Sequence, residues 1–213
     1  MEHAFFFYDA VRIDHFRGFE SYYEILSSED TAMNGTWVKG PGMELFDALK
    51  DVIGDRQVIA EDLGFLTPEV HELLEKTGYP GMKVLQFAFD AKSDSEYQPH
   101  NFTRNCVVYT GTHDNDTSRG WIESTDAGVR DYALRYLGVS SKEDAVQAMI
   151  RTAMMSVSDT CIIPLQDYLN LGSEARINTP STLGDNWKWR VRADVFTKKL
   201  SEKLLNYARI YAR

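Results

Sequence analysis

An alternation of two kinds of segment constrains this chain most. Five short runs with β character, residues 9–14, 57–61, 82–88, 106–111 and 160–165, are separated by stretches with helical periodicity. Strand–helix–strand alternation calls for right-handed parallel crossovers and an α/β fold. In such folds chemistry gathers beyond the carboxyl ends of the strands. The five strand ends are therefore where function is to be sought.

The intervening segments carry recognisable start and stop signals. In Thr67–Gly78, Thr67 is placed to cap, Pro68 suits the first helical position, Val70, Leu73 and Leu74 form a stripe, and Gly78 can end the helix. A second helix is expected from Ser141 to about Val157, with Val146, Met149, Ile150, Ala153, Met154 and Val157 on a core face. A third, about Asp194 to Ala212, aligns Phe196, Leu200, Leu204, Tyr207 and Tyr211, and shorter ones are expected at 43–53 and 127–137. Three long loops, 27–42, 89–105 and 166–193, are candidate working parts. The first contains Gly35-Thr36-Trp37-Val38-Lys39-Gly40-Pro41-Gly42 and the last Asn186-Trp187-Lys188-Trp189. Loop tryptophans of this kind either stack on sugars or cover the edge of a core.

Composition narrows the class. The 213 residues suit one substantial domain or a large part of one, and no linker or repeat divides them. With 23 Lys and Arg against 32 Asp and Glu, the net charge of −9 disfavours a nucleic-acid partner. No run approaches the ~20 apolar residues that span a bilayer, so no membrane association is expected. The start, Met1-Glu2-His3-Ala4-Phe5-Phe6-Phe7, lacks the basic region of a secretory signal, which implies a cytoplasmic location. Cys106 and Cys161 each open an apolar run without metal-type spacing, and both are expected as buried free thiols.

The strand ends are acidic. In Val11-Arg12-Ile13-Asp14 the β-branched residues alternate with Arg12 and Asp14, which share a face and are followed at once by His15 and Arg17. The second run ends in Glu61-Asp62, the third in Asp90, and the fourth in His113-Asp114-Asn115-Asp116. Three readings compete. Such carboxylates often serve as helix caps and ion pairs. A metal centre would use the same residue types, but no His-x-His or His-x-x-x-His pair occurs, and Arg12 beside Asp14 would repel a cation. Glycosyl transfer needs one ionised carboxylate beside a cation such as Arg12, and a second carboxyl of raised pKa to protonate the leaving oxygen. Asp14 suits the first role and Glu61 the second. Asp114 would be a further carboxylate bearing on the sugar ring, with His113 donating to hydroxyls.

At these motifs the chain resembles a known family. Val11-Arg12-Ile13-Asp14-His15-Phe16-Arg17-Gly18-Phe19, Ala60-Glu61-Asp62-Leu63-Gly64 and Thr112-His113-Asp114-Asn115-Asp116-Thr117 are similar to motifs of the 4-α-glucanotransferases. These are the amylomaltases and plant disproportionating enzymes, glycoside hydrolase family 77 of the α-amylase clan. Gly81-Met82-Lys83-Val84-Leu85-Gln86-Phe87-Ala88-Phe89, Pro164-Leu165-Gln166-Asp167, Arg176-Ile177-Asn178-Thr179-Pro180 and Asn186-Trp187 extend the likeness over nearly the whole chain.

The resemblance implies a (β/α)8 TIM barrel and a retaining double displacement on maltooligosaccharides and α-1,4-glucans, with neither metal nor cofactor. It implies Asp14 as nucleophile after strand four, Glu61 as acid/base after strand five and Asp114 as the transition-state carboxylate after strand seven. Arg12 would hydrogen-bond the nucleophile, and His15, Asp90, His113 and Asn178 would contact sugar. In a plant or alga a plastid location would fit as well as the cytoplasm. Residues 1–213 would be the C-terminal portion of the catalytic barrel, strands four to eight, because the family has three strands before its first catalytic Asp. A whole barrel takes about 250 residues. An open arc leaves strand edges and apolar side chains exposed, so weak activity alone is expected, with self-association or pairing with a missing N-terminal half. A hydrolase of the same clan and a non-catalytic glucan-binding fragment are the alternatives.

Overall fold

The computed structural model describes residues 1–89 and 95–213, which fall into two compact units, Met1–Met82 and Lys83–Arg213. In chain order the first contains α1 (Glu2–Phe7), β1 (Ala10–Ile13), β2 (Ser21–Glu24), β3 (Thr36–Lys39), α2 (Met43–Ile53), β4 (Gln57–Ala60) and α3 (Pro68–Thr77). β5 (Gly81–Val84) runs across the division.

β1 and β4 pair in parallel, Ala10 with Gln57 through Ile13 with Ala60. The ladder continues past the strands, with the Glu61 N–H donating to the Ile13 carbonyl and the Phe16 N–H to the Glu61 carbonyl, both at 2.9 Å. β2 and β3 form an antiparallel hairpin. The core of this unit is built on Phe16, Phe46, Ala60, Val70 and Leu73, with Phe16 stacked on Phe46 at 5.5 Å between centroids. Phe16 comes from the turn that follows β1, so burying it fixes the direction in which the chain leaves the strand.

The second unit contains β6 (Cys106–Tyr109), α4 (Ser118–Ser124), α5 (Ala127–Leu137), α6 (Lys142–Met155), β7 (Thr160–Ile162), α7 (Leu165–Tyr168) and α8 (Lys198–Tyr211). Its sheet has the order β5-β6-β7, with β6 and β7 parallel. α6 is buried on two sides. Ala145, Met149 and Ala153 join the cluster around Leu85, Phe89, Val108 and Ile122, whereas Val146, Ile150 and Met154 meet Tyr207 and Tyr211 of α8. A helix clasped on two faces needs apolar residues round more of its circumference than a single stripe provides, and α6 has them.

The helices expected at 43–53 and 127–137 form with those bounds. Other expectations change. Residues 85–88 are not strand: the chain leaves β5 at Val84 and turns through a 3-10 segment, Leu85–Phe87, burying Leu85 and Gln86. The Thr67 side chain does not cap α3, although Pro68 opens that helix and Gly78, at φ 69°, ends it by donating to the Leu74 and Glu75 carbonyls. The C-terminal helix begins at Lys198, capped by the Thr197 hydroxyl, and leaves Phe196 outside it and exposed. Cys106 is buried but Cys161 only partly so, and neither is in a disulfide. Burial pushes the Cys161 thiol up to about 11. Asp90 lies outside the described residues. Among the described residues no helix is long and apolar enough to cross a membrane.

Candidate active site

In the first unit the β1–β4 register sets the geometry. Because Ile13 is paired with Ala60, the next residues, Asp14 and Glu61, leave neighbouring strands side by side. Arg12 reaches forward along β1, its Nη2 lying 3.0 Å from Asp14 Oδ1. Asp14 is largely exposed; Arg12 is mostly covered. His15 takes a left-handed conformation, φ 47° and ψ 54°, which is uncommon for a residue with a side chain. That kink turns its backbone N–H onto Glu61 Oε2 at 2.7 Å, while the Leu63 N–H donates to Oε1 at 3.0 Å.

Glu61 therefore sits in a contest. Desolvation raises its pKa above the ordinary glutamate value, and the Asp14 carboxylate adds to that. The two N–H donors and Arg12 pull the other way, but burial prevails. The next residue, Asp62, is buried, and its Oδ1 accepts from the Met82 N–H at 2.6 Å. A Cβ at Gly81 would collide with that carboxylate, so only glycine fits there. Asp62 thus ties the chain just beyond Glu61 to the start of β5.

In the second unit the loop after β6 carries the remaining group. Asp114 Oδ1 accepts from Asn178 Nδ2 at 2.6 Å, and its backbone carbonyl accepts from Arg176 Nη2 at 2.7 Å. His113 Nε2 lies 3.4 Å from Asp114 Oδ2, and its ring sits 5.2 Å from that of Trp187. The loop itself is pinned from below: Asn115 Oδ1 accepts from the Thr112 N–H and hydroxyl, and Gln86 Nε2 donates to the Asp116 carbonyl. Asp167, almost wholly buried, accepts from the Thr110 hydroxyl at 2.5 Å and from both the N–H and hydroxyl of Ser118.

Arg12, Asp14, His15 and Glu61 are thus gathered in one unit, and His113, Asp114 and Asn178 in the other. Arg176, Asp62 and Asp167 were not singled out from the sequence as site residues. Arg176 had a usable signal, since it stands two residues before Asn178 in a run already matched to the family. Among the described residues no group of three or more His, Cys, Asp or Glu is disposed to hold a metal ion.

The profile of the family described as 4-alpha-glucanotransferase matches residues 1–196. The chain belongs to the 4-alpha-glucanotransferase family. It is 52% identical over 207 residues to the 4-alpha-glucanotransferase of Clostridium butyricum, covering 97% of this chain and 42% of the relative. It is 51% identical to that of Streptococcus pneumoniae, covering all of this chain and again 42% of the relative. Among solved structures, an amylomaltase from Streptococcus agalactiae in complex with acarbose superposes with a TM-score of 0.90 at 40% identity, over 97% of this chain and 42% of that one. The chain therefore spans about four-tenths of the length of these family members.

Proposed function

We propose that this chain carries the catalytic carboxylates of a 4-α-glucanotransferase, and that residues 1–213 are the C-terminal portion of a (β/α)8 barrel. β1, β4, β5, β6 and β7 would be its strands four to eight. Support for the barrel comes from the parallel pairs and from the likeness to the amylomaltase fold over nearly the full chain.

The observation that carries the chemistry is the contrast between two neighbouring carboxyls. Asp14 is exposed and faces Arg12, whereas Glu61 is partly desolvated with its pKa raised. A nucleophile must be ionised and a general acid must hold its proton near neutral pH. In the first step Asp14 attacks the anomeric carbon of an α-1,4-glucan, the bond from that carbon to the bridging oxygen breaks, and Glu61 protonates the departing oxygen. In the second, Glu61 takes the proton of an acceptor 4-hydroxyl, whose oxygen displaces Asp14 and restores the α-linkage. By family likeness Asp114, which Asn178 orients and His113 flanks, would be the carboxylate that stabilises the positive charge developing on the sugar. Arg12 and His15 hold the nucleophile and acid loops in place. Asp90 is a further sugar contact by family likeness.

Incubation of the chain with maltotriose tests the reading. A ladder with glucose and longer chains is the expected result. Shortening alone would make the chain a hydrolase, and binding without products would make it a glucan-binding module. Glu61→Gln should lower maltotriose turnover by about 10²–10⁴. With maltosyl fluoride, whose leaving group needs no proton, the same variant should accumulate a glycosyl adduct on Asp14, visible by mass spectrometry. Near-normal maltotriose turnover would remove Glu61 from its role. We also propose self-association, or pairing with a chain bearing the rest of a barrel, on the strength of exposed Phe196, Leu205 and Ile210 on and beside α8; light scattering that finds only a monomer at all concentrations would count against the former.

A further inference from the structure

We propose that Trp37, backed by Arg17, is a stacking platform for a glucose ring of a longer α-glucan. The proposal rests on the glucan reading above. Trp37 lies on β3 directly across the hairpin from Tyr23, and their rings meet edge to face at 5.3 Å. Tyr23 is itself held by its hydroxyl, which accepts from the Gly35 N–H at 3.0 Å. A Cβ at residue 35 would strike the Tyr23 ring, so glycine is what lets that ring lie where it does.

The second support is a buried cation. Arg17 is 9% exposed, its Nη1 donates to the Phe65 carbonyl at 2.6 Å, and its Nε–H has no acceptor among the described residues. Its guanidinium carbon stands 4.1 Å from the centre of the Trp37 ring. Among the described residues no carboxylate pairs with Arg17, so the indole face is the electrostatic partner of this desolvated charge. Trp37 is nonetheless 58% exposed. With one face under a guanidinium and an edge on Tyr23, that exposure belongs to the opposite face.

The result is a flat apolar surface held by three separate segments and open on one side. A pyranose matches it, because one face of the sugar is lined by C–H groups while its hydroxyls project from the rim. The position indicates which ligand. Arg17 is three residues beyond Asp14, and Phe65, itself 83% exposed, is four beyond Glu61. The guanidinium behind the ring is thus held by the same two loops that carry the proposed nucleophile and acid, and a longer glucan reacting at those carboxylates would find its further contact on the hairpin ring.

Calorimetric titration of the whole chain with maltotriose and maltoheptaose tests this. Trp37→Ala should weaken maltoheptaose about five- to tenfold, the scale of one aromatic stacking contact, and leave maltotriose within about twofold. Trp37→Phe should recover most of the loss, since it keeps a flat ring on the guanidinium. Unchanged maltoheptaose binding in Trp37→Ala, or equal weakening of both sugars, overturns the platform while leaving the glucan reading in place. Binding of neither sugar by the unmodified chain overturns both. Thermal melting of each variant identifies one that has lost its fold, in which case Trp37→Leu, which keeps apolar bulk over the guanidinium but offers no flat ring, carries the same comparison with the same expected loss for maltoheptaose alone.

Discussion

Glu61 is where a few ångströms decide the chemistry. Both of its oxygens accept backbone N–H groups, an arrangement that by itself favours the ionised form, yet desolvation prevails and the pKa is raised. As the proposed general acid, Glu61 would then keep its proton to higher pH. The basic limb of kcat/KM for maltotriose should therefore lie above the ordinary carboxylate range and disappear in Glu61→Gln. Asp14 contributes to the rise, so in Asp14→Asn the Glu61 carboxyl should titrate at lower pH, which a carbon-detected NMR titration would show. Asn178 acts on Asp114 through one short charge-assisted bond. Its replacement by Ala should lower kcat by about 10- to 100-fold, the worth of a hydrogen bond to a charged group, with KM changed far less.

At the scale of elements, the helices were legible and the turns between them less so. Met43–Ile53 and Ala127–Leu137 fall within the ranges expected of them, and the structure ends each at a glycine, Gly54 and Gly138. The hairpin β2–β3 escaped because its residues are almost all exposed or half-exposed, so no alternation of buried and polar positions marks it. Residues 85–88 misled for the opposite reason: an unbroken apolar run reads as buried strand, whereas a 3-10 turn can bury it equally well. Two substitutions probe these elements. Thr197→Ala removes the hydroxyl that accepts from the Leu200 N–H and should cost about 1 kcal/mol in the second unit. Gly81→Ala forces a Cβ onto the Asp62 carboxylate and breaks its bond to the Met82 N–H, a loss of about 2–3 kcal/mol by denaturant unfolding.

For the molecule as a whole, a buried carboxyl links stability to pH. Burial raises the pKa of Asp167 against the pull of its three donors. Because the folded value exceeds the unfolded one, the folded chain holds the extra proton in the interval between them, and stability falls as pH rises through that interval. The contribution is complete below the unfolded value of about 4 and is lost above the raised one. Melting of Asp167→Asn followed by circular dichroism should depend less on pH across this interval than that of the unmodified chain. An unchanged pH dependence would mean that another group governs it.

The amino-acid sequence by itself determined the class of fold, the family and the positions of the acidic strand ends. Those follow from periodicity and from contiguous motifs, which are properties of neighbours in the chain. It also put Arg12 and Asp14 on one face, because alternation along a strand is local. Only the tertiary structure decided that the His15 N–H would fall on Glu61 through a left-handed turn, that Asp62 would be locked against glycine at position 81, and that Trp37 would become the partner of a buried Arg17. Each of these depends on groups between 19 and 46 residues apart meeting within a few ångströms, and such meetings are set by packing around Phe16 and Phe46 rather than by any local pattern.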